Sequence, residues 1–217
     1  MAIALLFLSF ALLLLIGLPV AHALISASLV TLLYLGLPPV VAVLQISAGA
    51  GSSSLLAIPL FIFAGEIMLR GGISERLIGL ASAMVGHIRG GLGQVSVVSS
   101  LFFGGVSGSA IADVSAIGGA MIPQMVKRGF DRDFSVNVCI TAALVALLVP
   151  PSHNLILFSA AAGGGLSIAD LFAAGMLPAL LMTAVLMATG WIIARRRNYA
   201  TERFPGMAAL ALRLVSA

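Results

Sequence analysis

Apolar residues fill most of this chain in blocks that are separated by short glycine-, proline- or charge-containing breaks. Blocks of this length predict helices, and a softer Ser- and Gly-rich stretch covers residues 40–54. In chain order the apolar blocks are Ile3–Ile16, Val20–Leu35, Leu55–Leu69, Leu92–Phe103, Ala110–Val126, Phe134–Ala162 and Ile168–Ala194. The pattern therefore predicts an all-α protein.

The segment Ile73–Ile88 differs from the other blocks because only one of its faces is apolar. That face carries Ile73, Leu77, Leu80, Ala81, Met84 and Ile88, and polar residues lie elsewhere. A helix of this kind lies in the plane of a membrane interface. We expect an interfacial helix here.

Composition places the chain in a membrane. Hydrophobic residues make up 61% of it and charged residues only 8%, which is unlike a water-soluble domain. The net charge of +4 does not indicate nucleic-acid binding, because no basic patch is interleaved with aromatic residues. The first basic residue is Arg70, so we expect the apolar N-terminus to be retained as membrane helix rather than removed as a signal peptide. The prediction is an all-α polytopic membrane protein in contact with the lipid bilayer.

The basic residues predict its orientation. All of them fall at helix ends that the predicted layout places on one face: Arg70, Arg76, Arg89, Lys127, Arg128, Arg132, Arg195–Arg197, Arg203 and Arg213. By the positive-inside rule that face is cytoplasmic. Counting spans backwards puts Met1 outside.

A run of small and polar residues, Gly104–Ala110, interrupts the apolar pattern and is followed by Asp113. Non-helical backbone at membrane depth survives only where protein covers it or where it lines a wet cavity. The arm before the run, Leu92–Phe103, covers about 18 Å against about 30 Å of hydrocarbon. We therefore expect a re-entrant hairpin open to the cytoplasm, with two short full spans as the alternative. Asp113 either faces a bound ion or caps the returning arm.

The second break is Pro150-Pro151. Prolines lack N–H groups, so the carbonyls of Ala146 and Leu147 are expected to lose their helical donors and stay free. Carbonyls at the end of one half-helix suit a cation, and the N-terminus of the next half-helix suits an anion. His153, just beyond the break, either lines this site or caps the half-helix.

A rival interpretation is an enzyme. Residues 105–108 match the G-x-S-G pattern of rhomboid-type intramembrane serine proteases, with Ser107 as nucleophile and His153 as base. The small-residue spacing that would bring the His153 helix against the serine is absent. A non-transporting membrane scaffold is a further alternative, but it leaves both breaks without a purpose.

Four motifs carry a resemblance to a known family. They are Leu56–Glu66, Arg70–Ser74, Gly105–Asp113 and Pro150-Pro151-Ser152. With them the chain resembles the N-terminal half of the large membrane subunit of tripartite ATP-independent periplasmic (TRAP) transporters, the DctM family. Members are roughly twice as long and repeat this architecture in inverted orientation, so we expect a fragment or a chain completed by a partner.

The resemblance implies an elevator-type symporter, not an enzyme, in the bacterial inner membrane. It would import a small organic acid that a periplasmic solute-binding protein delivers, beside a small TRAP membrane subunit, with sodium as the coupling ion and no other cofactor. The implied cation-binding residues are Ser107, Gly108, Ser109, Pro150 and Ser152. The implied substrate-binding residues are Ser109, Asp113, His153 and Asn154.

The predicted organisation has four segments. They are membrane helices over 1–72, the interfacial helix over 73–89, the hairpin with the broken helix over 90–165, and a final helix with a cytoplasmic tail over 166–217. One departure from the family pattern is that Ala143–Val149 is wholly apolar. Backbone carbonyls, rather than side chains of that turn, would have to serve as ligands.

Overall fold

A computed structural model describes residues 1–51, 53–162, 165–199 and 206. This part of the chain consists of helices and turns without a strand, which confirms the all-α prediction. The helices are α1 Ala2–Leu15, α2 Val20–Tyr34, α3 Val40–Ala50, α4 Ser53–Arg70, α5 Ile73–Val85, α6 Gly91–Ser107, α7 Ala110–Asp113, α8 Gly119–Lys127, α9 Arg132–Ala143, α10 His153–Ala161 and α11 Ile168–Arg196. Contacts group the chain into two compact units, Met1–Leu56 and Ala57–Ala217. The functional division into four segments stays a prediction.

The first unit is built on the pairing of α1 with α2. Ala23 and Ala27 are fully buried, while large apolar side chains such as Phe7 and Leu8 are exposed. The two helices have 14 and 15 residues, which corresponds to about 21 to 23 Å each. The predicted apolar helices are therefore present, and each is shorter than the hydrocarbon layer of about 30 Å.

The second unit has a core between α6, α9 and the arm that contains α7 and α8. Its largest fully buried side chains include Phe103, Ile117 and Met121. The final helix α11 packs on the same core, where Gln94 Nε2 donates a hydrogen bond of 2.9 Å to the carbonyl oxygen of Met187. This core fixes the hairpin in place against the broken helix.

The helix predicted over Ile73–Ile88 is present as α5, but its buried face differs from the predicted apolar face. Ser74, which the pattern assigned to the polar side, is buried, and Met84, which it assigned to the apolar side, is exposed. The buried stripe includes Ala81, and Ile78 packs against the core of the second unit. The stripe is displaced because α5 packs against α6, so tertiary contact rather than amphipathicity alone decides the buried face.

By length and composition, one described helix can cross a bilayer. It is α11, with 29 residues and apolar side chains such as Leu177 and Leu181 exposed. A second span results if the bent pair Val40–Ala50 and Leu55–Arg70 counts as one. The long final apolar helix predicted from the sequence is thus present.

The hairpin differs from its prediction at the polar run. Helix α6 continues through Gly104 and Gly105 to Ser107, and only Gly108 and Ser109 separate it from α7. Its 17 residues correspond to about 26 Å, so the arm is longer than predicted. The helix persists because Gly104 packs on Ala146, where a glycine allows close approach without breaking the helix. A π-helical segment, Val114–Gly118, joins α7 to α8. Whether the hairpin is re-entrant stays a prediction.

A cluster of polar and aromatic side chains connects the α8–α9 turn to the chain that follows α11. The Tyr199 hydroxyl donates to Asp131 Oδ2 at 2.6 Å, and Arg197 donates to the same oxygen. The Tyr199 ring lies 4.4 Å from the Phe130 ring and 5.4 Å from the Phe134 ring, centroid to centroid. The hydrogen bonds from Tyr199 and then from Arg197 hold the pKa of Asp131 below its ordinary value.

This cluster predicts a pH dependence. Because the pKa of Asp131 is lowered on folding, its stabilisation is present above the ordinary carboxyl pKa of about 4 and is lost as the pH falls through the folded value. Asp131→Asn should therefore lower the thermal unfolding temperature at pH 7, and the two proteins should converge on acidification. Asp133→Asn, at an exposed acid in the first turn of α9, is the control. A constant difference between Asp131→Asn and wild type across the acid range would contradict this prediction.

Candidate functional site

The hairpin tip is a two-residue turn with its own side-chain hydrogen bonds. Gly108 has a φ of +57°, the left-handed conformation that glycine adopts readily. Ser109 is the N-cap of α7, and its Oγ accepts from the Ala112 N–H at 3.4 Å. The Ser107 Oγ accepts from the Ser109 N–H at 3.3 Å. The tip therefore holds two serine hydroxyls in fixed positions.

The broken helix is confirmed, with a wider gap than the prolines require. Helix α9 ends at Ala143, a short 3-10 turn covers Val145–Leu147, and α10 begins at His153. Ser152, which is fully buried, spans the gap: its Oγ donates to the Leu147 carbonyl at 2.5 Å and accepts from the Leu155 N–H at 3.4 Å. The expectation that the Leu147 carbonyl stays free is wrong, because a serine after the prolines replaces the missing backbone donor.

The structure brings the two breaks together. A Cβ on Gly108 would collide with the Pro151 carbonyl oxygen, and one on Gly104 would lie 2.7 Å from the Ala146 Cα. One on Gly105 would lie 3.6 Å from the Pro150 carbonyl oxygen, an ordinary contact distance. The tip thus rests directly on the proline break, with the carbonyls of both prolines against it.

A cavity of about 200 Å³ opens beside this contact. It is lined by Ile62, Gly65, Glu66, Leu69, Ser107, Ser109, Ala112 and His153. Within the described residues, no group of three His, Cys, Asp or Glu side chains could hold a metal ion. The oxygens at this contact are the serine hydroxyls of the tip and the carbonyls of the proline break. Hydroxyl and carbonyl oxygens suit a hard monovalent cation such as sodium, which needs no ring of carboxylates.

Two acidic side chains near the site have partners. Glu66 lines the cavity and forms an i, i+4 ion pair with Arg70, at 2.9 Å. Asp113 is buried outside the lining of the cavity, where its Oδ2 accepts from the Ser100 Oγ at 2.6 Å and its Oδ1 has no hydrogen-bond partner among the described residues. Ser109 caps the returning arm, so the expectation that Asp113 caps it is wrong.

The three residues after the prolines, Ser152, His153 and Asn154, lie in different surroundings. His153 lines the cavity, and its Nε2 is buried without a hydrogen-bond partner in the described structure. Ser152 rather than His153 caps α10, so capping by His153 is wrong. Asn154 is exposed and is not among the cavity-lining residues. Of the predicted site residues, the structure gathers Ser107, Ser109 and His153 around one cavity, with Gly108 and Pro150 at its packing contact.

Ser107 and His153, the pair that the protease interpretation needs, do share this cavity. The Ser107 hydroxyl is engaged with the backbone of Ser109, and within the described part of the chain no hydrogen bond joins it to His153. A nucleophile must contact its base. The geometry does not provide that contact.

Three features of the site were not predicted from the sequence. One is Gly65 on α4, where a Cβ would lie 3.1 Å from the Val106 carbonyl oxygen, so α4 closely approaches the hairpin tip. The others are the Pro151 carbonyl and the hydroxyl of Ser100. Ser96 and Ser100 lie one helical turn apart on α6 and are fully buried, a pattern that could have indicated the polar inner face.

Comparison with known proteins identifies a family that matches nearly the whole chain. Residues 7–212 match the family described as the tripartite ATP-independent periplasmic transporter, DctM component. The chain is 38% identical over 208 residues to the C4-dicarboxylate TRAP transporter large permease protein of Vibrio cholerae, covering 95% of this chain and 46% of that protein. It is 39% identical over 184 residues to the 2,3-diketo-L-gulonate TRAP transporter large permease protein of Escherichia coli, covering 84% and 43%.

A third relative is the ectoine/5-hydroxyectoine TRAP transporter large permease protein of Ruegeria pomeroyi, 39% identical over 202 residues, covering 92% of this chain and 47% of that protein. The chain spans less than half the length of the curated relatives it matches. The family match covers both breaks and the cavity beside their contact. The chain, in which a helical hairpin packs on a proline-broken helix, therefore belongs to the DctM family of TRAP transporter components.

Proposed function

We propose that this chain forms part of a sodium-coupled TRAP-type symporter that imports a small organic acid. The observation that carries the proposal is the contact between the hairpin tip and the proline break. Ser107 and Ser109 of the tip line a cavity beside this contact, and the carbonyls of both prolines lie against the glycines of the same run. Transporter sites are commonly built from such discontinuous helices, whose ends supply ligands that no continuous helix offers.

The proposed cation site uses Ser107, Ser109 and the carbonyls of the broken helix. Gly108 allows the tip to approach, and Ser152 fixes the shape of the break through its bond to Leu147. A hydroxyl oxygen has two lone pairs, so a serine that already accepts one hydrogen bond can still coordinate an ion. These ligands are neutral, which leaves the bound cation with its charge available to attract an anionic substrate.

The substrate is proposed to bind on the His153 side of the cavity. Its imidazole Nε2 lies buried without a partner, and the first N–H groups of α10 lie at the positive end of that helix. The names of the relatives given above specify C4-dicarboxylates, 2,3-diketo-L-gulonate and ectoines. All of these compounds carry a carboxylate group. A carboxylate is therefore the substrate group that we assign to this end of the site, with Ser109 and Asn154 at its margin.

The remaining proposals follow from the family. A small membrane subunit and a periplasmic binding protein would accompany the chain, and movement of the hairpin as a body would alternate access in an elevator mechanism. The inner membrane would hold the complex with Met1 outside and the hairpin open to the cytoplasm. The one-sided basic residues support this orientation.

The test is the sodium dependence of uptake. Ser109→Val in the complete, partner-assembled transporter should raise the sodium concentration for half-maximal uptake about fivefold, because losing one neutral oxygen ligand costs on the order of 1 kcal/mol. The measurement is solute uptake into proteoliposomes against external sodium, with the binding protein and the small subunit present.

Thr189→Val is the matched control, since it removes an exposed hydroxyl that only bonds within α11, to the Val185 carbonyl at 2.8 Å. It should leave the sodium dependence unchanged. Sodium-independent uptake by the wild type, or equal behaviour of the two variants, would refute the proposed cation site.

A further inference from the structure

The two arms of the hairpin are joined below the tip by a buried hydrogen bond. Ser100 Oγ on α6 donates to Asp113 Oδ2 at the end of α7, at 2.6 Å. Ser100 is fully buried and Asp113 is 1% exposed. The bond therefore closes a loop of chain whose far end is the turn at Gly108 and Ser109.

The arm that carries Asp113 needs such a connection. Helix α7 has only four residues, and a single helical turn is not stable without tertiary support. The π-helical segment Val114–Gly118 follows directly, so regular α-helical hydrogen bonding does not continue from α8 to the tip. Two side-chain hydrogen bonds support α7: its Ser109 cap and the bond from Ser100 to Asp113.

We propose that Asp113 and Ser100 act together as positioning residues for the hairpin tip, and that Asp113 does not bind the cation or the substrate itself. The inference rests on the proposed function, since the tip is where the cation is proposed to bind. Asp113 is not among the residues that line the cavity, whereas Ser107 and Ser109 are. Its contribution is to fix the register of the two arms, which sets the separation of the tip oxygens.

This role makes the hydrogen bond, rather than the carboxylate charge, the important property. Asn has the same shape as Asp and keeps an oxygen that can accept from Ser100, so Asp113→Asn preserves the connection and removes the charge. Asp113→Ala and Ser100→Ala each remove the connection. Ser99→Ala is the matched control, because Ser99 is the neighbouring, fully buried serine and its Oγ has no partner among the described residues.

The experiment measures the sodium concentration for half-maximal uptake by equal amounts of assembled transporter in proteoliposomes. Ser100→Ala and Asp113→Ala should each raise it about fivefold. The double variant should be no worse than either single one, because the two changes break the same bond. Asp113→Asn and Ser99→Ala should stay within about twofold of wild type.

Two outcomes would overturn the inference. If Asp113→Asn shifts the sodium dependence as far as Asp113→Ala, the charge matters and Asp113 is a direct ligand. This comparison distinguishes a positioning role from a direct ligand even if the Ser100→Ala variant does not assemble. If the effects of Ser100→Ala and Asp113→Ala add, the residues act separately. In both cases the proposed function stands, provided that wild-type uptake requires sodium and that Ser109→Val raises the sodium concentration for half-maximal uptake.

Discussion

Gly108→Ala should abolish sodium-driven uptake. The new Cβ would have to occupy the space of the Pro151 carbonyl oxygen, and the φ of +57° is unfavourable for alanine by about 1 kcal/mol or more. The atoms in the way are backbone, so relief requires the tip to move away from the proline break. The proposed ligands on the two sides would then separate. Uptake in proteoliposomes, together with the yield of assembled protein, measures the effect.

Gly105→Ala is the control, three residues earlier in the same run. Its Cβ would lie 3.6 Å from the Pro150 carbonyl oxygen and 3.8 Å from Val149 Cγ1, both ordinary contacts. The residue is helical, where alanine is favoured over glycine by about 1 kcal/mol. Uptake by this variant should equal that of wild type. A loss as large as that of Gly108→Ala would show that any added bulk in the run is harmful, and not the specific contact with Pro151.

The positions of the two breaks could be predicted because each depends on local backbone chemistry. Pro150-Pro151 removes two N–H donors, and the run around Gly108 combines small and polar residues where the flanking chain is apolar. The exact ends could not be predicted. Helix α9 stops at Ala143 and α6 continues to Ser107, because both ends depend on the packing of one segment on the other, as at Gly104 and Ala146.

The hydrogen-bond partners of the polar groups could not be predicted from the sequence either. The prolines indicate that the Leu147 carbonyl loses a helical donor, but not that Ser152 replaces it. Asp113 stands out in an apolar chain, but its neighbour Ser100 is one of several serines on α6 and lies 13 residues away. A local pattern identifies which groups need a partner, whereas the fold decides which side chain supplies it. The approach of Gly65 to the hairpin is likewise a long-range contact that no local pattern contains.

Ser152→Ala should be the most destabilising hydroxyl deletion in the broken helix. The Ser152 Oγ caps α10 through the Leu155 N–H and also donates to the Leu147 carbonyl, and the residue is fully buried. Losing the cap costs about 1 kcal/mol. Leaving the Leu147 carbonyl without its donor adds about 1 to 3 kcal/mol, because water does not replace a partner in a buried gap. The expected loss in free energy of unfolding is therefore about 2 to 4 kcal/mol.

Ser167→Ala is the matched control, because it removes a serine cap that makes only one of these contacts. Ser167 Oγ accepts from the Asp170 N–H at 3.3 Å at the start of α11, and the residue is exposed. Its loss should cost about 1 kcal/mol or less, since water can reach the freed N–H. Thermal or denaturant unfolding of the detergent-solubilised protein compares the two. Equal destabilisation would mean that the bond from Ser152 to Leu147 adds nothing, and that the break keeps its shape through the packing of the hairpin tip alone.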